Sequence, residues 1–208
     1  MTSIIVLGGG GHAKVLIEAV QLSGRNVIGY TDPVERSTLL GIPCLGEDLE
    51  VLRYRPTDVD LVNGIGSIWN NTKRRQIFEA FKTRGYSFAT VVHPQAIVSP
   101  NAILEEGVQV MAGAVVQAGC VIGSNTIINT RASVDHDSKI GAHVHVAPGV
   151  VLSGGVTIYD EAHLGTGAVV IQGVTIGRAS VVGAGAVVIR DVSDGAKVVG
   201  VPAKVLSQ

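Results

Sequence analysis

The sequence predicts a small α/β domain with a parallel, Rossmann-like sheet over residues 1–90, followed by a parallel β-helix of hexapeptide repeats over residues 91–208. Two observations predict this fold class. An aliphatic residue stands at every sixth position from Val92 to Val188, which is typical of a β-helix in which each hexad forms one short strand. Before that repeat, an apolar run, a glycine-rich turn and an amphipathic pattern indicate a strand–turn–helix unit.

The α/β domain contains three predicted strands, at residues 4–7, 27–30 and 60–65. A helix is expected after the glycine turn and another over residues 72–84. This order of elements favours a parallel sheet. The helix residues expected to face inward are Val15, Leu16, Ala19, Val20, Ile77, Phe78 and Phe81, and those expected to face outward are Lys14, Glu18, Gln21, Lys73, Arg74 and Arg75.

The repeat contains seventeen hexads, and the fourth residue after each aliphatic position is small or β-branched. Three walls per coil then predict between five and six coils. His145 and His163 are eighteen residues apart, one full coil, so their side chains are expected to stack. The tail from Asp194 onward is expected to leave the repeat.

Composition excludes several classes of function. The net charge of −1 gives no support for a nucleic-acid partner. Although 46% of the residues are hydrophobic, no apolar run approaches a membrane span, and the short run at residues 4–7 is no secretory signal, so a cytoplasmic protein is expected. The two cysteines, Cys44 and Cys120, are expected to fill space rather than form a disulfide.

The glycine turn is the first candidate binding element. Gly8, Gly10 and Ala13 fit the spacing G-x-G-x-x-[GA], which lets backbone amides and a helix N-terminus face a phosphate. Asp32 follows nineteen residues after Ala13, where a nucleotide-binding acid is expected. The alternative is a tight turn that needs glycine for its backbone angles alone. Ninety residues are too few for a full dinucleotide fold and suit a nucleotide sugar better.

Three further residues accompany this turn. His12 is expected either to cap the helix start or to contact the phosphate. Gly66, at the end of the third strand, either leaves room for a ligand or is an ordinary turn glycine. Trp69 is either a lid over a bound base or a packing anchor, and the sequence does not decide between the two.

His136 is the candidate catalytic residue, because Asp135 and Asp137 flank it. A carboxylate that holds one ring nitrogen protonated raises the basicity of the other, which is what a general base requires. Most lone histidines on an exposed prism are surface residues, and His143 is interpreted in that way. No metal site is expected, because the histidine spacings give no compact ligand motif.

Taken together, these motifs resemble those of one family, the sugar O-/N-acyltransferases of the left-handed β-helix class. That class includes nucleotide-sugar N-acetyltransferases and sialic acid O-acetyltransferases. The resemblance extends over essentially the whole chain. The motifs that carry it are Gly9-Gly10-Gly11-His12, Asp32, Gly64-Ile65-Gly66, Asn129-Thr130, Val134-Asp135-His136-Asp137 and Gly200-Val201-Pro202-Ala203-Lys204.

The resemblance implies a homotrimer that binds acetyl-CoA in the groove between two β-helices and a nucleotide-linked amino sugar on the N-terminal domain. It implies His136 as general base, with Asp137 supporting it. It further implies nucleotide-sugar contacts at Gly10, Gly11, His12, Thr31, Asp32 and Gly66, and acetyl-CoA contacts at His145, Gly154, Thr166 and Ala184. Family members often carry Glu where Asp137 stands and glycine where Ala184 stands.

Three functions remain open on the sequence. The first is N-acetylation of a UDP-, dTDP- or GDP-linked 4-amino-4,6-dideoxy sugar for surface glycan synthesis. The second is O-acetylation of a sialic acid or a similar hydroxyl acceptor. The third, from another class, is a β-helix metalloenzyme or a nucleotide-binding scaffold without catalysis.

Overall fold

The computed structural model of the protein describes residues 2–34, 38–67, 69 and 71–206. The N-terminal part contains a parallel three-stranded sheet of order β2-β1-β5, with a small hairpin formed by β3 and β4 beside it. Its elements, in chain order, are β1 (Ser3–Leu7), α1 (Gly11–Leu22), β2 (Val27–Thr31), β3 (Thr38–Leu39), β4 (Ile42–Pro43), a 3-10 helix (Asp48–Arg53), β5 (Val59–Asn63) and α2 (Thr72–Thr83).

The strands of this sheet are buried on both faces, which is why β1 is apolar without alternation. Ile4 and Val6 belong to the cluster that contains the apolar side of α1. Ile5 and Leu7 point the other way, into a cluster that contains Phe78 of α2. The sheet therefore lies between two apolar clusters, and the carboxyl ends of β1, β2 and β5 meet at one edge.

Two of the predicted helix faces are wrong at single positions. Val15 is 40% exposed, and Ile17 takes the inward place beside Leu16. Arg74, predicted to face outward, is only 2% exposed. Its spacing to Phe78 puts it on the apolar face of α2. Polar groups that face it accept hydrogen bonds from its guanidinium.

The second part is a β-helix of two-residue strands arranged on three walls, here called A, B and C. It agrees with the left-handed β-helix class that the family resemblance implies. Wall A contains β6 (Val91–Val92), β9 (Gln109–Val110), β12 (Ile127–Ile128), β15 (His145–Val146), β18 (His163–Leu164), β21 (Val181–Val182) and β23 (Lys197–Val199). Wall B contains β7 (Ile97–Val98), β10 (Val115–Val116), β13 (Ser133–Val134), β16 (Val151–Leu152), β19 (Val169–Val170) and β22 (Val187–Val188). Wall C contains β8 (Ile103–Leu104), β11 (Val121–Ile122), β14 (Lys139–Ile140), β17 (Thr157–Ile158) and β20 (Thr175–Ile176).

Each strand pairs in parallel with the strand eighteen residues later, as Val115 with Ser133 shows. The second residue of each strand points inward, and the residue four positions later fills the corner, as Val134 and Ser138 do with no exposed surface. The third residue after the aliphatic position commonly has a positive φ, as in Asp137 (φ 59°) and Gly155 (φ 67°). This backbone turn closes the corner between two walls and explains the fixed hexad length.

The tail follows the repeat further than the sequence predicts. β23 still pairs in parallel with β21 on wall A, at a separation of sixteen residues instead of eighteen. The chain then turns back as β24 (Lys204–Val205), antiparallel to β23. In the part of the chain that the structure describes, no helix is long and apolar enough to cross a membrane.

The two parts of the molecule pack against each other through wall A. α1 contacts β6, and Met111 of the β-helix belongs to the same buried cluster as Ile4 and Leu16. The carboxyl edge of the N-terminal sheet is therefore brought against the outward side chains of wall A.

Candidate active site

His136 lies at the corner between walls B and C, directly after β13. Its Nδ1 is 2.9 Å from Asp137 Oδ2, and its backbone N–H donates to Asp135 Oδ1 at 2.8 Å. The hydrogen bond to Asp137 and the charge of Asp135 raise the pKa of His136 above its ordinary value. The side chain is 56% exposed in the single chain, so the imidazole can be reached from solvent.

Gly154 lies one coil after His136, at the same corner. A Cβ placed on Gly154 would be 2.6 Å from His136 Nε2, so only glycine leaves space for the imidazole. The Gly155 N–H donates to the His136 carbonyl at 2.8 Å, which continues the coil-to-coil ladder. Among the described residues, none accepts the Gly154 N–H. A base and an unpaired backbone donor therefore stand side by side.

Thr166 and Ala184 lie at a different corner, between walls A and B, again one coil apart. They line a pocket of about 240 Å³ together with His145, Trp69 and Ser67. Thr166 also lines a neighbouring groove of about 730 Å³ along the same corner, with Pro148 and Arg131 among its other residues. Within one chain, the structure thus separates the predicted acetyl-CoA residues into two corners, with Gly154 beside His136 and the other three apart.

His145 is buried on wall A, with both ring nitrogens engaged inside the chain. Ser67 Oγ is 2.5 Å from Nδ1, and Asn129 Nδ2 donates to Nε2 at 3.1 Å. Burial and the neighbouring His163 lower the pKa of His145 to about 3, so the ring is neutral. The two histidine rings are 5.0 Å apart in an edge-to-face arrangement, which confirms the predicted stacking.

The glycine turn lies open at the carboxyl edge of the N-terminal sheet. A Cβ on Gly10 or Gly11 would meet nothing within 4 Å, so the space beside the start of α1 is free. Gly9 is different, because a Cβ there would be 2.4 Å from Asp32 Oδ2. Asp32 therefore covers the turn, and its other carboxylate oxygen accepts the Val34 N–H at 2.8 Å.

Thr31 supports the turn from below. It is fully buried, its hydroxyl donates to Asp48, and its oxygen accepts the Gly8 N–H at 3.2 Å. The Thr31 side chain is thus occupied within the chain and fixes the backbone of the turn. Gly66, at the end of the loop after β5, lies against His12, because a Cβ on it would be 3.3 Å from His12 Cβ.

His12 does not cap its own helix: α1 has Gly10 at its N-cap and no side-chain cap. Instead, His12 Nε2 is 2.8 Å from Gln109 Oε1 on wall A. Burial and the charge of Arg74 lower the pKa of His12 to about 4 against the opposing effect of Gln109, so this ring is also neutral.

A buried polar network joins the two parts of the molecule, and the sequence did not predict it. Its centre is Arg74, which donates to the carbonyls of Asn63, Ile65 and Asn125. Burial lowers the pKa of Arg74 to about 9. The other members are Asn71, which donates to the carbonyls of His143, Glu161 and Ala162; Asn125, which is 3.0 Å from His143 Nδ1; and Gln109, which donates to the Asn63 carbonyl.

The remaining predicted residues have structural places. His143 belongs to this domain contact and meets Phe78 edge to face at 5.6 Å between ring centroids. Trp69 is 56% exposed at the mouth of the pocket, which leaves both of its predicted roles open. Cys120 is fully buried and Cys44 partly buried, and both are free thiols. Over the described residues, no group of three or more His, Cys, Asp or Glu is arranged to hold a metal ion.

Comparison with known protein families matches both parts of the chain. Residues 3–81 match the PglD N-terminal domain, and residues 119–154 match the bacterial transferase hexapeptide of six repeats. A comparison with curated proteins finds no significant match.

Solved structures match over the whole length. A mutant of perosamine N-acetyltransferase from Caulobacter crescentus, in complex with CoA and GDP-perosamine, is 41% identical, with 100% of this chain and 98% of that chain covered and a TM-score of 0.94. The acetyltransferase domain of PglB from Neisseria gonorrhoeae, in complex with acetyl coenzyme A, is 40% identical, with 98% of each chain covered and a TM-score of 0.93. WeeI from Acinetobacter baumannii is 27% identical, with 99% and 100% covered and a TM-score of 0.89.

The fold and these comparisons together define an acyltransferase of the hexapeptide-repeat class. More particularly, the chain belongs to the sugar N-acetyltransferases of the left-handed β-helix family, enzymes that use acetyl-CoA.

Proposed function

We propose that the chain transfers an acetyl group from acetyl-CoA to the 4-amino group of a nucleotide-linked 4-amino-4,6-dideoxy sugar, for surface glycan synthesis, with His136 as general base. The observation that carries the proposal is the corner where the His136 imidazole, held by Asp137, faces the backbone of Gly154. The full-length similarity to perosamine N-acetyltransferase supports an amine acceptor rather than a hydroxyl.

His136 acts in this proposal through its unprotonated Nε2. As the sugar amine nitrogen forms a bond to the thioester carbonyl carbon, Nε2 takes a proton from that nitrogen. The Gly154 N–H donates to the carbonyl oxygen while it carries negative charge. The carbon–sulfur bond then breaks, the sulfur takes the proton that Nε2 holds, and CoA leaves as the thiol while His136 returns to its neutral form. Neither cysteine is needed as a nucleophile.

Acetyl-CoA fits the corners of the β-helix. Thr166 lines both the pocket and the groove between walls A and B, and Ala184 lines the pocket; the glycines beside them, Gly165, Gly167 and Gly183, leave room for an extended chain against the prism. His145, neutral and bonded to Ser67 and Asn129, forms the wall of this pocket. Its role in the proposal is therefore to shape the pocket near the thioester, without charge.

The nucleotide sugar is proposed to lie at the carboxyl edge of the N-terminal sheet. The free space beside Gly10 and Gly11 accommodates a diphosphate at the N-terminus of α1. Asp32 lies beyond the turn, where its carboxylate can accept hydrogen bonds from the hydroxyl groups of the nucleoside. Gly66 keeps the space next to His12 open. The buried Thr31 side chain supports the turn through the hydrogen bond that it accepts from the Gly8 N–H.

The site is proposed to be completed by a second copy of the chain in a homotrimer. His136 and the acetyl-CoA pocket lie at different corners of one prism, so the base of one subunit serves the pocket of its neighbour. We also propose the domain boundary at residues 90–91, immediately before β6.

The experiment is a thiol-release assay with acetyl-CoA and UDP-, dTDP- and GDP-linked 4-amino-4,6-dideoxy sugars, beginning with GDP-perosamine. We expect turnover on one of these sugars and a loss of about 10²- to 10⁴-fold in kcat for His136→Ala, the usual contribution of a general base. Turnover only on sialic acid or another hydroxyl acceptor would move the assignment to O-acetylation. Zinc-dependent activity, or an unchanged His136→Ala enzyme, would refute the mechanism.

A further inference from the structure

We propose that Gln109 is a positioning residue that fixes the tautomer of His12, so that His12 offers a hydrogen-bond acceptor to the sugar of the bound nucleotide sugar. The identity of the ligand in this inference rests on the proposed function, whereas the tautomer of His12 follows from its contact with Gln109 alone. Gln109 lies on the β-helix, whereas His12 lies in the N-terminal domain.

The orientation of the Gln109 amide follows from its neighbours. The side chain is 1% exposed, and its nitrogen donates to the Asn63 carbonyl at 2.9 Å. A carbonyl oxygen can only accept, so the amide nitrogen must face Asn63. The amide oxygen is thereby left to face His12 Nε2 at 2.8 Å.

The proton on His12 follows from that orientation. An amide oxygen has no proton to give, so His12 Nε2 must be the protonated nitrogen. The ring is neutral at ordinary pH, since its pKa is lowered to about 4, and it therefore carries this one proton only. Nδ1 is left as an acceptor. Within the described part of the chain, Nδ1 has no hydrogen-bond partner, and it is not among the buried unpaired atoms.

Because Nδ1 of His12 can only accept a hydrogen bond, the part of the ligand that it contacts must be a hydrogen-bond donor. A diphosphate has no donor at neutral pH, so Nδ1 cannot bond to it. His12 lies against Gly66, and the next residue, Ser67, contacts His145 and lines the proposed acetyl-CoA pocket, which puts His12 toward that pocket. The group that meets Nδ1 is therefore a hydroxyl or amine of the sugar.

The first test is the tautomer itself, in protein labelled with ¹⁵N at histidine. The His12 signals are identified by their loss in His12→Asn. We expect a protonated, pyrrole-type Nε2 and an unprotonated Nδ1 in the unmodified protein. We expect a mixture of tautomers in Gln109→Met. A protonated Nδ1 in the unmodified protein, or no change in Gln109→Met, would overturn the proposal.

The second test is binding of GDP-perosamine, or of the sugar that turns over in the panel, against the free nucleoside diphosphate. Gln109→Met is expected to weaken binding of the nucleotide sugar about tenfold, which corresponds to the loss of one hydrogen bond. It is expected to weaken binding of the nucleoside diphosphate by less than about twofold. Equal losses for both ligands would contradict a sugar contact. If no panel sugar binds, the proposed function fails, while the tautomer measurement still decides the role of Gln109.

Asn71→Ala is the matched control for both tests. Asn71 is 3% exposed and donates to three carbonyls across the same domain contact, without touching His12. We expect it to lower the melting temperature while leaving the His12 tautomer and the preference for the nucleotide sugar unchanged. If Asn71→Ala shifts the tautomer as Gln109→Met does, general loosening of the domains explains both, and the proposal is wrong.

Discussion

The chemistry proposed for His136 depends on one hydrogen bond. Asp137 is placed beside the imidazole by the left-handed turn of its own backbone, φ 59°. Asp135 acts differently, because its carboxylate accepts the His136 backbone N–H and affects the ring only by its charge. The two acids that flank His136 in the sequence therefore differ in what they do.

Replacing Asp137 is predicted to change the pH profile. His136 must be unprotonated to act as a base, so kcat/KM falls as the pH falls through its pKa, which stands above the ordinary value. Asp137→Asn removes the largest cause of that raised pKa. The acid limb of kcat/KM then moves to lower pH, and the maximal kcat falls because the base is weaker.

Asp135→Asn is the control for this profile. It keeps the hydrogen bond between His136 and Asp137 and is expected to shift the acid limb less. Both profiles are measured by thiol release between pH 5 and pH 9, a range of about four units around histidine titration. An acid limb that stays in place in Asp137→Asn would show that another group, such as the sugar amine, controls it.

At the scale of the residue, the sequence predicts what is local and misses what is distant. The His136–Asp137 contact joins neighbours in the chain and follows from their order. Arg74 was predicted to face outward because it is charged, although its spacing to Phe78 already indicated the inward face. Gln109 and His12 are 97 residues apart, so no local pattern connects them.

The start of α1 combines two requirements that oppose each other. Gly11 is the first residue of the helix, and replacing a glycine by alanine where the backbone conformation allows it stabilises a protein by about 0.4–1 kcal/mol. A Cβ on Gly11 would meet no atom of the protein within 4 Å. The fold therefore gives no steric reason for glycine here, and the proposed ligand supplies one.

Gly11→Ala is predicted to raise the stability of the protein and to weaken the binding of the nucleotide sugar. The melting temperature should rise by a few degrees, because the loss of chain entropy on folding is smaller with alanine, by about 0.4–1 kcal/mol. The KM for the nucleotide sugar should rise at least tenfold, since the new methyl group occupies the proposed phosphate space. The KM for acetyl-CoA serves as the internal control and should not change. A stabilised enzyme with an unchanged KM for the nucleotide sugar would show that the phosphate does not bind at this turn.

The elements were predictable to the extent that their periodicity is strict. The hexads gave all seventeen strands from β6 to β22, because each corner turn repeats the same backbone conformation. β23 was missed because wall A continues with a separation of sixteen residues, which breaks the six-residue period without breaking the pairing. The boundary at residues 90–91 stays a prediction, since the domain contact is extensive on both sides of it.

For the whole molecule, wall B is the face that suits contact with further copies of the chain. Its outward residues are Ile97, Val115, Ser133, Val151, Val169 and Val187, of which five are aliphatic. Ile97 is 67% exposed and Val151 43% exposed, which is unusual for an apolar row in a single chain. Wall C begins with an exposed Ile103, but it is more polar in the later coils, where Lys139, Thr157 and Thr175 point outward. Wall A is covered by the N-terminal domain.

Val151→Glu is therefore predicted to dissociate the proposed homotrimer, because it would bring three like charges together near a shared axis without partners. Light scattering should report the mass of a single 21.5 kDa chain instead of three. Circular dichroism should stay unchanged, since the side chain points away from the core of the prism. Thiol release should be lost, because in the proposed trimer His136 of one subunit would then no longer meet the proposed acetyl-CoA pocket of another. Thr157→Glu, on wall C of the same coil, is the control and should leave both mass and activity intact. A monomeric Val151→Glu protein that keeps full activity would show that each chain carries a complete site, and a trimeric one would place the subunit contact on another face.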